Sequence, residues 1–339
     1  MLDVFDLPNN IVPNYKDLEA EMFSAYGSST HADLVLSPKG DGAVISGQFP
    51  NGSVLGGNPR GAYAIDLQAD RGAATQVAHG FGSIVLGLSC TASNTSSIAI
   101  GSVANSSGFQ SLAIGSNVTS AGEQSIAIGT DGTSSSGLHS IAIGDTAIAS
   151  AQDACAIGVG AIASAQNAFA YGESAVAATS ASMALGLSAT TARLGELSFA
   201  NGFAFTTGSR QYSMFLLQRV ITTNAAAAEL TIDGNAPTAT NTITIPSGKV
   251  MGFIAWISGV RSTGASQAHF TRKGFIKNVA GTTSITTTPV AMGADEGVGT
   301  LVVGVDDTTD ALRITMQLAA LETWRFAAVV QVFEFTYGT

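Results

Sequence analysis

A long stretch of this sequence carries basic side chains and no acid. Between Asp233 and Asp295 there is no Asp or Glu, and the stretch contains Lys249, Arg261, His269, Arg272, Lys273 and Lys277. Guanidinium and ammonium groups bind carboxylates and phosphates through charge-assisted hydrogen bonds, so a locally basic surface on an acidic chain favours an anionic ligand. We therefore expect an anion-binding surface formed by Arg261, His269, Arg272, Lys273 and Lys277. The alternative is that these side chains pair with acids of the same or a neighbouring chain: Asp295, Glu296, Asp306, Asp307 and Asp310.

Residue types that carry out catalysis or bind metals are sparse. The four histidines have no Cys or carboxylate at the spacing of a metal site. Cys90 and Cys155 lie in Ala- and Ser-rich surroundings, where a thiol packs as a small apolar group. Glycoside hydrolysis needs two carboxylates about 5–10 Å apart in a cleft, whereas the acids of the central region fall mostly in predicted turns. We expect no cofactor, no metal and no enzymatic activity; a polysaccharide depolymerase is the alternative.

The composition limits the classes of partner. The chain has 339 residues, a formal net charge of −10 and only 11% charged residues, whereas nucleic-acid binding depends on Lys and Arg side chains that neutralise phosphates. No stretch approaches the roughly 18 consecutive apolar residues of a membrane span. The first residues include acids and lack the apolar stretch of an export signal. We expect no nucleic-acid partner, no membrane insertion and assembly in a cytoplasm.

Nine short units recur at nearly constant spacing in the centre of the chain. They are SIVLG from Ser83, SIAIG from Ser97, SLAIG from Ser111, SIAIG from Ser125, SIAIG from Ser140, ACAIG from Ala154, AFAYG from Ala168, SMALG from Ser182 and SFANG from Ser198. The steps between successive glycines are 14, 14, 14, 15, 14, 14, 14 and 16 residues. A fixed short period is typical of a solenoid, so each unit should form one coil of stacked strands.

Large and small residues alternate within each unit. Ile98 and Ile100 share one face of a strand, while Ser97, Ala99 and Gly101 share the other. A narrow coil has room inside only for the small residues, so the large ones form an outward apolar stripe larger than monomers normally expose. Three chains around an axis along the coils are the smallest arrangement that encloses such a stripe. We predict a homotrimer, the alternative being a monomer capped by its flanking segments, with an interface that contains Ile98, Ile100, Leu112, Ile114, Ile126, Ile128, Ile141, Ile143, Phe169 and Met183.

These units resemble the head repeats of the YadA-like trimeric autotransporter adhesins, which also carry SIAIG and SLAIG at fourteen-residue spacing. The resemblance covers about Ser83 to Gly202 and implies a left-handed parallel β-roll that assembles as a trimer. The preceding segment, HADLVLSPKGDGA from His31 followed by GGNPRGAYAIDLQ from Gly56, is similar to segments that precede such repeats in tailed-bacteriophage tail fibres and related virion fibres.

The sequence predicts other structures at the two ends of the chain. Asn14 to Gly27 is predicted to form one short helix, with Asn14 as N-cap and Gly27 as C-cap, that attaches the chain or caps the roll. From about Gln211 the period ends, and about eight strands follow, which favour an antiparallel sandwich or jelly roll. They are predicted at 214–221, 242–245, 250–260, 269–279, 282–288, 299–305, 311–316 and 324–337.

Together, these patterns predict an all-β protein with four regions: an N-terminal segment with a short helix (1–30), a lead-in (31–82), a β-roll (83–210) and a C-terminal β-sandwich (211–339). The resemblances imply a virion tail fibre, assembled as a homotrimer in the host cytoplasm. Its N-terminal segment would attach to a tail or baseplate component, and its C-terminal domain would bind a polysaccharide or protein of the host surface through several weak sites at once. A bacterial trimeric adhesin fragment and a purely structural neck or head fibre are the alternatives.

Overall fold

The structure is a computed structural model that describes residues 38, 40–46, 48–202, 210–223, 226–264, 266–291 and 299–336, and only the backbone of residues 286–290. The helix predicted between Asn14 and Gly27, and with it the N-terminal segment 1–30, lies outside these residues. In the described part of the chain, every regular element is a β-strand. No helix long and apolar enough to cross a membrane occurs among the described residues.

The lead-in and the repeats form short strands. In chain order these are β1 (Val44–Ile45), β2 (Ile65–Asp70), β3 (Ile84–Leu88), β4 (Thr91–Ala92), β5 (Ile98–Ser102), β6 (Asn105–Ser106), β7 (Leu112–Ser116), β8 (Thr119–Ser120), β9 (Ile126–Thr130), β10 (Ser134–Ser135), β11 (Ile141–Asp145), β12 (Ile148–Ala149), β13 (Cys155–Ile157), β14 (Ile162–Ala163), β15 (Phe169–Tyr171), β16 (Val176–Ala177), β17 (Met183–Leu187), β18 (Thr190–Thr191) and β19 (Leu197–Asn201).

The C-terminal region forms longer strands and a few short ones. They are β20 (Arg210–Ile221), β21 (Ala228–Glu229), β22 (Ile243–Thr244), β23 (Lys249–Arg261), β24 (Gln267–Val279), β25 (Thr282–Ala291), β26 (Gly299–Asp306), β27 (Ala311–Leu318) and β28 (Trp324–Thr336). Each of the eight segments predicted from alternation overlaps one of these strands. The short strand β21 has no counterpart in the sequence prediction.

Each coil of the roll contributes one longer strand and one short strand. The longer strands stack in parallel in a sheet that we call the main sheet, and the short strands β4 to β18 stack in a separate back sheet. Equivalent positions of successive coils are paired, as Ile98 with Leu112 and Gly101 with Gly115. The single fifteen-residue step keeps this register, with Gly129 paired to Gly144, because the additional residue lies in the three-residue turn between β9 and β10.

The glycine that ends each of the first eight repeat units is required by close approach of the coils. At Gly115, φ is +134°, which L side chains rarely adopt, and a Cβ atom there would overlap the carbonyl oxygen of Gly129 in the next coil. The glycines therefore set the spacing between coils, which explains why the unit ends in Gly at a constant period.

Small side chains fill the roll. Ser and Ala of the repeat units are buried, and serine hydroxyls of the two sheets bond across the interior, as between Ser106 and Ser111 (2.6 Å) and between Ser120 and Ser125 (2.7 Å). From Ala142 to Ala189 the interior is almost entirely alanine. The large residues consequently lie outside, as the alternation predicted.

The main sheet continues without interruption into the C-terminal region. After β19 it contains β20, β28, β23, β24 and β25, which are antiparallel. A second sheet of β21, β22, β27 and β26, here called the cover sheet, packs on one face of this part, and the two enclose a core that includes Phe215, Met251, Phe270, Ile314 and Trp324. In the described residues, the prediction of an all-β chain with a roll of fourteen-residue coils followed by antiparallel sheets is confirmed.

Candidate functional site

The residues predicted at a subunit interface lie in two adjacent columns on the outward face of the main sheet. One column is formed by Ile98, Leu112, Ile126, Ile141, Phe169 and Met183, and the other by Ile100, Ile114, Ile128 and Ile143. Each side chain is partly exposed, and Met183 is 41% exposed. We call these ten residues the stripe. The stripe runs along the roll, and no other described part of the same chain covers it.

The stripe is continued by residues of the C-terminal strands in the same register. Phe199 of β19 pairs with Tyr212 of β20, Tyr212 with Phe333 of β28, and the next strands place Gly252 and then Phe275 in line. Ring centroids of Phe199 and Tyr212 are 6.1 Å apart, and those of Tyr212 and Phe333 are 5.1 Å apart. The second stripe column therefore extends as aromatic side chains across the junction.

The exposed aromatic residues around the junction form one surface, which we call the aromatic extension. It consists of Tyr171 (55% exposed), Phe199 (41%), Tyr212, Phe275 (49%), Phe333 (48%) and Phe335 (45%). Because an aromatic side chain presents about 150–250 Å², the five half-exposed members leave on the order of 500 Å² uncovered. That area alone matches the largest apolar patch of a typical monomer, about 300–600 Å². The partly exposed side chains of the stripe increase this apolar area further.

The five residues of the predicted anion-binding surface are not brought into one site. His269, Lys273 and Lys277 share the outward face of β24, but at four-residue intervals, which place their Cα atoms about 13 Å apart along the strand. Arg272 has the opposite orientation, with its guanidinium 6.0 Å from the ring centroid of Phe270. Arg261 ends β23 and pairs with Glu322 (Nη2 to Oε1, 2.8 Å).

The acids named as alternative partners have other roles where the structure describes them. Asp307 accepts a hydrogen bond from the Thr283 N–H, Asp310 accepts one from the Thr283 hydroxyl (2.7 Å), and Asp306 accepts from the Thr308 N–H (2.9 Å). Asp295 and Glu296 lie outside the described residues. Arg261 therefore has an acid partner, although it is Glu322 and not one of the predicted acids.

A groove of about 780 Å³ lies on the outward face at the far end of the C-terminal strands. Two rows of residues line it across four strands: Gln218, Ala327, Ser258 and His269 in one, and Val220, Arg325, Val260 and Gln267 in the other. Gln218 is six residues from Tyr212 along β20, or about 20 Å in an extended strand. The groove is therefore separate from the aromatic extension. His269 is the one residue of the predicted anion-binding surface that lines it.

The groove has an excess of positive charge. Its lining includes Arg325, Arg219 and one acid, Asp233. Hydrogen bonds from the backbone N–H and side chain of Asn235, and from Asn241, hold the pKa of Asp233 below its usual value, so Asp233 is negatively charged and the two arginines leave the lining one positive charge in excess. Arg219 donates to the Gly234 carbonyl (3.0 Å). Arg325 makes no hydrogen bond or ion pair with any described residue. Sequence reasoning missed Arg325 because it lies outside the acid-free stretch.

A buried polar network connects the last coil to the sandwich. Arg193 donates through Nη1 to Glu196 (3.1 Å) and Glu334, and through Nε to the Thr244 carbonyl (2.6 Å). Lys249 pairs with the other oxygen of Glu334 (3.0 Å). Burial alone would raise the pKa of Glu334, but the charges of Arg193 and Lys249 outweigh it and hold this pKa below its usual value. The network positions the sandwich on the roll.

Metal ligands do not cluster in the described part of the chain. Within it, no group of three or more His, Cys, Asp or Glu side chains could hold a metal ion. His139 Nδ1 and Asp153 Oδ1 are 3.1 Å apart, and both side chains are exposed on neighbouring turns. Cys90 and Cys155 are free thiols.

Comparison with known proteins identifies the repeats. The family described as YadA head domain repeat (2 copies) matches residues 78–104, 106–131, 135–161 and 149–175. No curated protein sequence matches the chain. Two similar solved structures are tailspike proteins: gp49 of the Acinetobacter baumannii bacteriophage Fri1, a capsular polysaccharide depolymerase (9% identity, 86% of this chain, 56% of that one, TM-score 0.24), and the tailspike of Acinetobacter baumannii phage AM24 (10%, 74%, 53%, TM-score 0.20).

These matches differ in what they cover. The chain spans a little over half the length of either tailspike. The family match lies between residues 78 and 175, which include the end of the lead-in and most of the roll, and it does not include the sandwich. The assignment of the central repeats to the YadA head type, made from their spacing and small-residue pattern, is confirmed.

Proposed function

We propose that this chain is a homotrimeric fibre of a phage virion that adheres to the host cell surface through its C-terminal sandwich. One observation carries the proposal: the apolar outward face of the main sheet keeps one register from β3 to β24 and is uncovered within a single chain. A one-sided face of this length is enclosed when three chains meet around an axis parallel to the roll. The YadA head repeat supports the same arrangement.

The remaining parts of the proposal concern the two ends. The N-terminal segment attaches the fibre to a tail or baseplate component, and assembly takes place in the host cytoplasm. The sandwich presents the host-binding surface, to which Arg261, His269, Arg272, Lys273 and Lys277 contribute at separate positions as contacts to a polysaccharide. Three copies of a weak site on one fibre increase avidity without a strong single site.

A bacterial trimeric surface adhesin is the second candidate. The YadA head match favours it, because the repeats that resemble this roll are those of bacterial adhesins. Both candidates predict the same trimer and differ in location. Antibodies against the sandwich would label purified virions in the first case and the bacterial surface in the second.

The proposal is tested by mass and by binding to surface polysaccharide. Light scattering of the full chain should give a mass of three times 34.2 kDa. The protein should bind purified bacterial capsule or lipopolysaccharide on a sensor surface without releasing reducing sugar. A monomer would contradict the trimer, absence of binding to polysaccharide and cells would contradict adhesion, and release of reducing sugar would identify a depolymerase instead.

A further inference from the structure

The groove at the far end of the C-terminal strands has the chemistry of a ligand site. Its volume of about 780 Å³ falls within the range of small-molecule sites, about 300–1,000 Å³. Ala327 and Ser258 occupy the centre of the outward face here, and these short side chains leave a depression between the longer ones around them.

The side chains around the depression offer both donors and acceptors. Gln218 and Gln267 each carry an amide, and Ser258 carries a hydroxyl. His269 lies between the Ser258 and Thr271 hydroxyls at 3.4 and 3.3 Å, which are long hydrogen bonds. Amides and hydroxyls that both donate and accept match ligand hydroxyl groups, whereas a phosphate ion needs donors only.

The positive charge of Arg325 indicates that the ligand also carries a negatively charged group. The Arg325 guanidinium makes no hydrogen bond or ion pair with any residue that the structure describes, and Arg325 is exposed at the groove. A guanidinium binds a carboxylate with two parallel hydrogen bonds. Asp233, the acid in the lining, makes its hydrogen bonds with Asn235 and Asn241 rather than with Arg325, and Arg219 and Arg325 together leave the lining one positive charge in excess.

Apolar residues complete the lining. Val220 and Val260 flank Arg325 across the strands and are 56% and 40% exposed. They offer a surface to the C–H groups of a sugar ring. From this combination we infer that the groove binds an acidic saccharide, with a ligand carboxylate on Arg325 and ligand hydroxyls on Gln218, Ser258, Gln267 and His269.

This inference rests on the proposed adhesion function and gives it a site and a ligand class. The position of the groove supports it, because the groove is about six residues along the strands from the aromatic extension. An interface along the stripe and extension would leave the groove at the side of the fibre. The site would then occur three times per trimer.

The test uses the full chain, titrated with two acidic probes, tetragalacturonate and a hyaluronan tetrasaccharide, and with neutral maltotetraose and inorganic phosphate. At least one acidic probe should bind saturably, and both maltotetraose and phosphate should bind about tenfold more weakly or not at all. Arg325→Gln should weaken binding of the acidic probe by about tenfold or more, because a charge-assisted pair is lost. Ala327→Phe, which fills the depression without changing charge, should abolish it.

The matched control is Arg210→Gln, which removes the same charge from the exposed start of β20, eight residues or about 26 Å along the extended strand from Gln218, and should leave binding within about twofold, since distant surface charges are largely screened. The inference is overturned if neither acidic probe binds, if a neutral probe or phosphate binds equally well, or if both arginine variants bind alike. Its failure is distinguishable from that of the proposed function. If Arg325→Gln still binds surface polysaccharide as a trimer, only the groove assignment fails; if a monomeric protein binds acidic sugar in the groove, only the fibre proposal fails.

Discussion

Arg193 and Glu334 stabilise the junction between the roll and the sandwich. Both side chains are almost fully buried, and the pair is supported by Glu196 and Lys249. Removing one partner of a buried ion pair typically costs about 3–5 kcal/mol, because the other charge stays buried. Glu334→Gln should therefore lower the urea midpoint of unfolding markedly. Glu322→Gln is the control, because its pair with Arg261 is partly exposed and such pairs contribute only about 0–1 kcal/mol.

The same carboxyl group predicts a pH dependence of stability. The pKa of Glu334 is lower in the folded protein than in the unfolded chain, because Arg193 and Lys249 outweigh the effect of burial. Its stabilising contribution is thus complete above the unfolded pKa, about 4.3, and is lost as pH falls through the lower folded pKa. Urea midpoints measured from pH 6 down to pH 2.5 should fall more steeply for the native protein than for Glu334→Gln. Parallel curves for the two proteins would contradict this role.

At the scale of the element, each coil depends on its terminal glycine. Ala at position 115 would adopt a left-handed φ, at a cost of about 1–3 kcal/mol, and its Cβ would overlap the Gly129 carbonyl. Gly115→Ala should therefore lower the urea midpoint strongly. Gly304→Ala is the control, because no atom lies within 4 Å of its Cβ position and its φ is not left-handed. Equal small effects of the two variants would show that coil spacing tolerates a methyl group.

Cys155 provides a native probe of the stripe. It pairs with Ile141 and Phe169, so it lies in the first stripe column and is partly exposed within one chain. Burial raises the pKa of both thiols, and Cys90 lies buried inside the roll as an internal control. In an assembled trimer, Cys155 should react slowly with maleimide, and it should react faster in the variant Ile128→Glu. Cys90 should stay unreactive in both folded forms. Fast labelling of Cys155 in the native protein would show that the stripe is uncovered.

The elements that sequence reasoning predicted best are those with strict periodicity. The repeat glycines predict the length of each coil and the register between coils. The Ile–Ala–Ile alternation predicts which face of the strands points outward, because only small residues fit inside the roll. Alternation in segments such as 250–260 likewise predicts sandwich strands. The groove could not be predicted, because Gln218, His269 and Arg325 are far apart in sequence and meet only through strand pairing. Arg272 and Lys273 are adjacent in the sequence but lie on opposite faces of β24, because neighbouring residues in a strand face opposite sides.

At the scale of the whole molecule, one sheet connects the lead-in, the roll and the sandwich. Because β19 and β20 are paired in register, a face that is outward in the roll is also outward in the sandwich. The apolar part of this face lies near the stripe, and the polar groove lies at the other end of the long strands. The extension was not predicted from the sequence, although Tyr212, Phe333 and Phe335 are the outward aromatic residues of β20 and β28.

The assembly itself is tested by two substitutions of identical chemistry on the two sheets of the roll. Ile128 is partly exposed in the main sheet and belongs to the stripe, whereas Ile148 is 37% exposed in the back sheet. If three chains meet along the stripe, Ile128→Glu brings three carboxylates together in apolar surroundings, where desolvation and repulsion oppose association. Light scattering should then give about 34.2 kDa, the mass of one chain.

Ile148→Glu should remain trimeric, because its side chain stays in water on the side away from the axis. The free energy of unfolding of the single chain should be similar in the two variants, since neither position is buried within one chain. A trimeric Ile128→Glu would place the interface elsewhere, and dissociation of both variants would show that the back sheet also contributes to it. Only dissociation of Ile128→Glu alone is consistent with an axis that runs along the outward face of the main sheet.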